Sequence, residues 1–565
     1  MEQENNTVWW LKAIQLGLIG GVVAILASLI GMVESFHARD IIAGQMSMGE
    51  TLLLLILIGF AYSSSRDAQA PFSTRVTSGV ITGVATSLMI VLFVMLGAVV
   101  NLRSIFVNAS PALYKILTLD ISNPTLAYIA VIVVGAVVSL AASLVHGATP
   151  FWKRIIVSGL SVVLLLALLQ DLVRITLTPF PFVTSALGWM FGRRGQEGLS
   201  ILGAIVVFLI VAGVIYNDAK NGAARRAKRD ALPEATKRTQ RWVRWGLLGL
   251  FLLIWPQIAG PVLSDVTNSV GLYILMGLGL NIVVGYAGLL DLGYVAFYAL
   301  GAFTMGVLTT TGGEIFFDVR WTFWEALPFA VIVAVLAGIM LGIPVLKIRG
   351  DYLAIITLGF GEIIRIMFLS DFLKPYFGGS FGIVSIASPT IGGIVLDSSQ
   401  TLYYVILAAC FVALFVAYRL RDSRIGRAWK AIREDEDVAQ AMGINLTATK
   451  LLAFATGAAF GGLSGAIFAA KLSTVYPHSF TLITSINVLA LIIVGGMGSL
   501  PGVIVGGLLL AGLPELLREF SEYRLLIFGI LLIVMMLNKP EGFLPEAVHK
   551  REFHEDENLS HAAGG

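Results

Sequence analysis

Charge is scarce in this chain. Only 13% of its 565 residues are Asp, Glu, Lys or Arg, and 57% are hydrophobic; soluble domains carry roughly 25% charged residues. That balance excludes a water-soluble globular fold and leaves a polytopic membrane protein. Cysteine is nearly missing. Cys410 stands alone inside an apolar run, which rules out an intrachain disulfide framework. The six histidines (His37, His146, His478, His549, His554, His561) are scattered through loops and the tail and form no His/Cys group at metal-ligand spacing. No GxxxxGKS or GxxxxGKT loop occurs, so a Walker A site for ATP is absent, and no GxSxG elbow marks a nucleophile. The apolar segments carry no chain of carboxylates suited to proton relay. Together these absences argue against an enzyme, and neither a metal nor a cofactor is expected. What remains is a passive pore or a transporter whose energy comes from another subunit. A cleavable signal is not expected either: residues 1–6 are acidic and polar, and the apolar run from Leu11 is too long for a signal core.

Apolar stretches are abundant instead. About 20 such residues cross a bilayer core of roughly 30 Å. Six segments are expected in the first half, at 11–33, 50–64, 76–100, 125–145, 154–173 and 199–216. Ten follow, at 245–263, 269–286, 289–308, 326–346, 352–369, 401–418, 451–472, 486–494, 503–513 and 523–537. The expected fold is an all-α, polytopic transmembrane helical bundle of about 16 apolar segments, some interrupted or re-entrant. Residues 218–244 hold nine Lys or Arg against three acids. The positive-inside rule makes them a basic cytoplasmic linker; a nucleic-acid patch is much less favoured by base rates. The expected domains are therefore a membrane extension at 1–217, the linker at 218–244, a membrane domain at 245–545 and a polar tail at 546–565. Counting from the linker puts both termini in the cytoplasm. Lys153, Arg154, Arg66, Arg75 and the loop 347–351 fall inside as well, with Arg193 and Arg194 as exceptions outside.

The most polar stretch between two long apolar runs is 419–443. It carries Arg419, Arg421, Arg424, Arg427, Lys430 and Arg433, followed by Glu434, Asp435, Glu436 and Asp437. Ile425, Ala428, Trp429, Ile432, Ala439 and Met442 recur at helical steps. Asp422 or Ser423 is placed to cap its start and Gly443 to close its end. A charged amphipathic element on the inner side suits docking of a partner; an ordinary solvated loop is the plainer alternative. Two glycine runs depart from simple spanning helices: GYAGLLDLGYVAFYALG at 285–301, with Gly288, Asp291 and Gly293, and GGMGSLPGVIVGG at 495–507, with Gly495, Gly496, Gly498 and Pro501. Irregular backbone at membrane depth needs cover from protein or a water-filled path, so these residues are candidates for a pathway or for close helix packing. Glu362 and Arg365, three residues apart in LGFGEIIRIMF, share a helical face. They are a candidate gate or, more plainly, a stabilising pair. Asn281 and Asp291 are polar groups of the kind that join helices.

These residues carry a resemblance. GLYILMGLGLNIVVGYAGLLDLGYVAFYALGAF, IPVLKIRGDYLAIITLGFGEIIRI, DSRIGRAWKAIREDEDVAQAMGI and GGMGSLPGVIVGG, in that order, resemble the LivM-type permease of branched-chain amino acid ABC importers, over about 245–545. The resemblance implies an inner-membrane permease of a bacterium or archaeon. Its partners would be a second, LivH-type permease, two cytoplasmic ABC ATPase subunits, a substrate-binding protein outside and membrane lipid, with no nucleic acid. It further implies that 424–443 enters the ATPase cleft, with Arg424, Gly426, Arg427, Ala428, Glu434, Asp435, Ala439 and Gly443 as the coupling loop. A urea or short-amide importer of the same superfamily is the near alternative. A self-contained channel or secondary carrier is the alternative of another class, and a membrane protein docking some other partner is a third. About 240 residues precede the resembling part and have no counterpart in this reading.

Overall fold

The computed structural model describes residues 9–66, 71–177, 182, 187–191, 198–230, 233–312, 319–345, 351–517 and 523–545. The expected tail 546–565, the basic residues at 347–350 and the pair Arg193 and Arg194 lie outside the described residues. Almost everything described is helical, as the apolar runs predict. Among the described residues, strands are limited to three short antiparallel pairs. Among the described residues, 11 helices are long and apolar enough to cross a membrane, and further short apolar helices accompany them; the expected count of about 16 is approximate. The chain is a multi-pass helical bundle that divides into two compact units, Met1–Trp245 and Gly246–Gly565.

The first unit contains α1 (Trp9–Leu29), α2 (Met48–Ser64), α3 (Phe72–Val99), α4 (Pro124–Gly147), α5 (Pro150–Leu168) and α6 (Ile201–Asp230). Small and hydroxyl residues hold it together, as expected where apolar side chains face lipid as readily as each other. One face of α3 buries Ser78, Thr82, Thr86 and Ser87. The Thr82 and Thr86 hydroxyls each donate across to α1, to the carbonyls of Ala13 and Gly17, both at 3.0 Å. The start of α2 is a capping box: the Glu50 amide donates to Ser47 Oγ at 3.2 Å and the Ser47 amide to Glu50 Oε2 at 3.0 Å. The basic stretch 218–244 is mostly helix rather than a loop, because α6 continues to Asp230 and α7 (Glu234–Leu280) starts soon after.

Most of α7 lies in the second unit. The sequence suggests a turn at its polar residues 264–268. The break falls earlier, at Gly260 (φ 70°, ψ −176°), flanked by Pro256 and Pro261, where the backbone has already lost amide donors. Ser264 and Asn268 continue the helix and are buried, and Asn268 Nδ2 donates to the Ser399 carbonyl at 2.7 Å. The Asn268 bond joins this helix to the start of a later one, Ser399–Arg421. A π-helical turn, Asn281–Tyr286, ends this segment. Then follow α8 (Val295–Thr309), which starts later than the apolar run suggests, α9 (Phe323–Val345), α10 (Asp351–Leu369), α11 (Ser399–Arg421), α12 (Arg424–Glu434), α13 (Glu436–Ala441), α14 (Leu446–Leu472), α15 (Leu482–Gly495), α16 (Leu500–Gly507) and α17 (Arg524–Asn538).

The centre of this unit is α14, packed against both α8 and α9. Its Gly457, Gly461, Gly462 and Gly465 are buried, which lets the neighbouring backbones come close. Ile383–Val384 pairs with Thr474–Val475 and ties the long 371–400 connection to the end of α14. Beside that pair, Phe303 stacks on Phe368 with ring centres 3.9 Å apart, and Phe480 lies 5.8 Å from Phe303.

Candidate functional site

The charged stretch folds as two helices rather than one. Ser423, the second of the two expected caps, accepts the Gly426 amide at 3.2 Å and starts α12. Asp435 then leaves the helix (φ −157°, ψ 116°) and caps α13, its Oδ1 accepting the amides of Asp437 at 2.8 Å and Val438 at 3.0 Å. Gly443 closes the pair at φ 88°, a left-handed conformation that only glycine adopts without strain. Asp422 sits just before the cap. A hydrogen bond from the Arg421 guanidinium, 2.9 Å long, holds its carboxyl below the ordinary carboxylate range.

One side of the helix pair is fixed and the other is bare. Trp429 is fully buried, and its indole Nε1 donates to the Thr449 carbonyl at 2.8 Å, which anchors α12 to the first turn of α14. Gly426, Ile432 and Ala439 are buried on the same side, and Ala428 is half-buried. Lys450 reaches Glu436 at 2.7 Å and joins α14 to α13. The outward side presents Arg424, Arg427, Glu434, Asp435 and Gly443. Between these charges Val438 and Met442, one helical turn apart, are 59% and 80% exposed. The result is an apolar knob ringed by both signs of charge on a rigid base.

Behind this surface lie both interruptions. Arg433 Nη1 donates to the Gly285 carbonyl at 2.7 Å, and Lys430 Nζ stands 5.8 Å from the centre of the Tyr286 ring. Gly288 has φ 69°, and a Cβ there would come within 2.9 Å of Arg433 Cγ, so glycine is required both by conformation and by space. The two glycine runs come together where a Cβ on Gly285 would lie 2.8 Å from the Gly498 amide, and that amide donates to Asn281 Oδ1, just before the first run, at 2.8 Å across 217 residues of sequence. Asn281 is fully buried, and its Nδ2 has no hydrogen-bond partner among the described residues. Gly496 and Gly498 both take positive φ, and Ser499 caps α16 by accepting the Gly502 amide at 3.1 Å, with Pro501 exposed in its first turn. The Leu544 amide donates to the Gly495 carbonyl at 3.0 Å, so the C-terminal segment covers this break.

Asp291 is fully buried and accepts the Gly293 amide at 2.9 Å. Gly293 itself packs against the Thr357 backbone of α10. Glu362 and Arg365 lie further along α10, and Gly361, beside Glu362, also packs against Gly293. Arg365 Nε lies 3.0 and 3.1 Å from the two Glu362 carboxylate oxygens. The structure thus sets Gly288 against Arg433 of α12 and Gly498 against Asn281, with Gly495 and Gly496 beside the second break, while Glu362 and Arg365 pair with each other on α10. Sequence reasoning passed over the roles of Arg433, Trp429 and Lys450, which were legible only as a charge, an apolar repeat position and a helix start. Among the described residues, no group of three or more His, Cys, Asp or Glu is placed to hold a metal ion.

The profile of a family described as "Branched-chain amino acid transport system / permease component" matches residues 262–536. Similar proteins include the high-affinity branched-chain amino acid transport system permease protein LivM of Salmonella typhimurium and that of Escherichia coli K12. Each is 42% identical, and each alignment takes in 52% of this chain and 72% of the relative. The permease protein LivH of Salmonella typhimurium is 26% identical over 50% of this chain and 95% of its own length. No solved structure gives a significant match. Identity at this level over most of the relatives' length, together with a family profile spanning the part that holds α12 and both interruptions, carries one conclusion: the chain belongs to the family of permease components of branched-chain amino acid transport systems.

Proposed function

We propose that this chain is the permease subunit of an ABC importer that passes branched-chain, leucine-like amino acids inward across a prokaryotic plasma membrane. Hydrolysis of ATP takes place on two separate ATPase subunits, a LivH-type permease forms the other half of the path, and an extracytoplasmic binding protein delivers the solute. Both chain ends and the α12–α13 face lie on the cytoplasmic side. In this reading 245–545 is the permease domain, 218–244 the basic linker, 546–565 the tail, and 1–217 an added membrane unit.

One observation supports the coupling role above the others: α12 and α13 are anchored by Trp429 while Arg424, Arg427, Glu434, Asp435, Val438 and Met442 face outward. Hydrolysis drives transport only if the ATPase states differ in their contact with the permease. A short helix pair that cannot shift against α14 transmits such a difference, and mixed charges favour one docking register. Arg433 and Gly288 extend the same rigid path to the interrupted segments.

The test is reconstitution in proteoliposomes with ATP-driven uptake of labelled leucine. Uptake is expected with all partners present and none with this chain alone. Met442→Glu and Gly443→Lys are expected to abolish uptake and ATPase co-purification while membrane insertion is unchanged. Flux through the purified chain without ATPases would show a channel or carrier and overturn the reading.

A further inference from the structure

Helix α10 carries two charges inside an apolar span, and neither is withdrawn into the protein: the side chains of Glu362 and Arg365 remain 42% and 24% exposed. Charged groups facing acyl chains are costly, and intramembrane ion pairs face a protein interior or water. This face of α10 therefore meets a path or a partner rather than lipid. Beside it, Glu362 forms part of the wall of a 150 Å³ cavity whose other walls include Leu292, Val295, Leu358, Phe480 and Leu482. An apolar cavity of about that size admits a benzene molecule in an engineered protein core, so a branched four-carbon side chain fits.

The walls are held firmly. The Leu292 amide donates to Thr357 Oγ1 at 3.0 Å and the Val295 amide to Ser485 Oγ at 2.9 Å. Phe480 lies 5.4 Å from the Tyr298 ring. A firm hydrocarbon pocket with the Glu362 carboxylate in its wall, and the Arg365 guanidinium paired to that carboxylate, supplies in complementary form the three parts of an aliphatic amino acid zwitterion.

We propose that Glu362, Arg365 and this cavity form a transit site for the transported amino acid; the proposal rests on the permease reading above. Glu362 receives the α-ammonium, Arg365 receives the α-carboxylate, and the cavity takes the branched side chain. In the empty site the two residues compensate each other, so an incoming zwitterion exchanges one ion pair for two and leaves no charge unpaired.

The experiment uses the complete importer in proteoliposomes and the initial rate of ATP-driven leucine uptake. Glu362→Gln and Arg365→Gln are each expected to lower that rate by roughly tenfold or more, the scale of one lost charge-assisted hydrogen bond. Co-purification of all subunits shows that the variants assemble. The double variant Glu362→Arg with Arg365→Glu separates binding from simple neutralisation. A pair that only neutralises itself regains wild-type uptake when reversed, and that result overturns the proposal; continued loss supports it. Single variants with wild-type rates, in a wild-type complex that does transport leucine, also overturn it. No uptake by the wild-type complex defeats the permease reading instead.

Discussion

At the residue scale, the outward surface depends on Trp429. The indole is fully enclosed and makes a hydrogen bond to Thr449. Trp429→Ala should therefore cost about 3–5 kcal/mol locally, the usual range for deleting a buried aromatic. The expected result is rapid hydrogen exchange over α12 in the purified chain and loss of ATPase binding, with α14 still protected. Unchanged exchange in α12 would show that the helix is held by something else. Gly288→Ala combines a left-handed backbone, which costs about 1–2 kcal/mol for an L-residue, with a Cβ crowding Arg433. Lower coupled transport with intact insertion is expected; full activity would remove Gly288 from the path. Asp422 gives a pH prediction. Its carboxyl titrates below its ordinary value of 3.8 because Arg421 donates to it. That contribution is complete above 3.8 and is lost as the pH falls through the lower folded value. The side chain is exposed and pairs only with Arg421 among the described residues, so the loss is expected to be small and confined to strong acid. A docking change near neutral pH that disappears in Asp422→Asn would contradict this.

At the element scale, the amphipathic pattern runs on to Gly443, and Asp435 divides it into two short helices. The division has a local cause: a carboxylate that captures two amides starts a new helix more readily than it continues an old one. α13 has only six residues and cannot hold its shape by propensity, since short isolated helices are unstable in water. Asp435→Ala should cost about 1 kcal/mol and speed hydrogen exchange at residues 437–442 while α12 stays protected. Equal effects on both helices would mean that they form one cooperative element. The break in α7 teaches the same point from the other side. Polar residues at 264–268 imitate a turn, yet the buried Asn268 donates to the Ser399 carbonyl, and the chain bends at Gly260 instead.

At the scale of the whole molecule, each unit has its own buried cluster. One draws on residues from Val270 to Met535 and the other on residues from Ala24 to Leu117. A chain lacking 1–217 is therefore expected to insert and remain monodisperse in detergent, as read by size-exclusion chromatography and thermal unfolding. Aggregation of that chain would mean that the second unit relies on the first. Retained leucine uptake by the truncated permease in the full complex would make the first unit accessory, and lost uptake with intact folding would give it a part in transport.

Composition and periodicity by themselves determined the class of this protein. Scarce charge and long apolar runs follow from the cost of leaving charges and unpaired backbone groups in hydrocarbon, and that cost acts residue by residue. The four ordered stretches of the second half likewise needed no tertiary information to point to a permease. Only the tertiary structure decided which residues meet. That Arg433 touches Gly285, that Asn281 receives the Gly498 amide, and that Glu362 shares a cavity wall with Leu292 and Phe480 are contacts between distant parts of the chain. They are set by how helices with small-residue faces pack, and neither hydropathy nor helical period encodes that pairing.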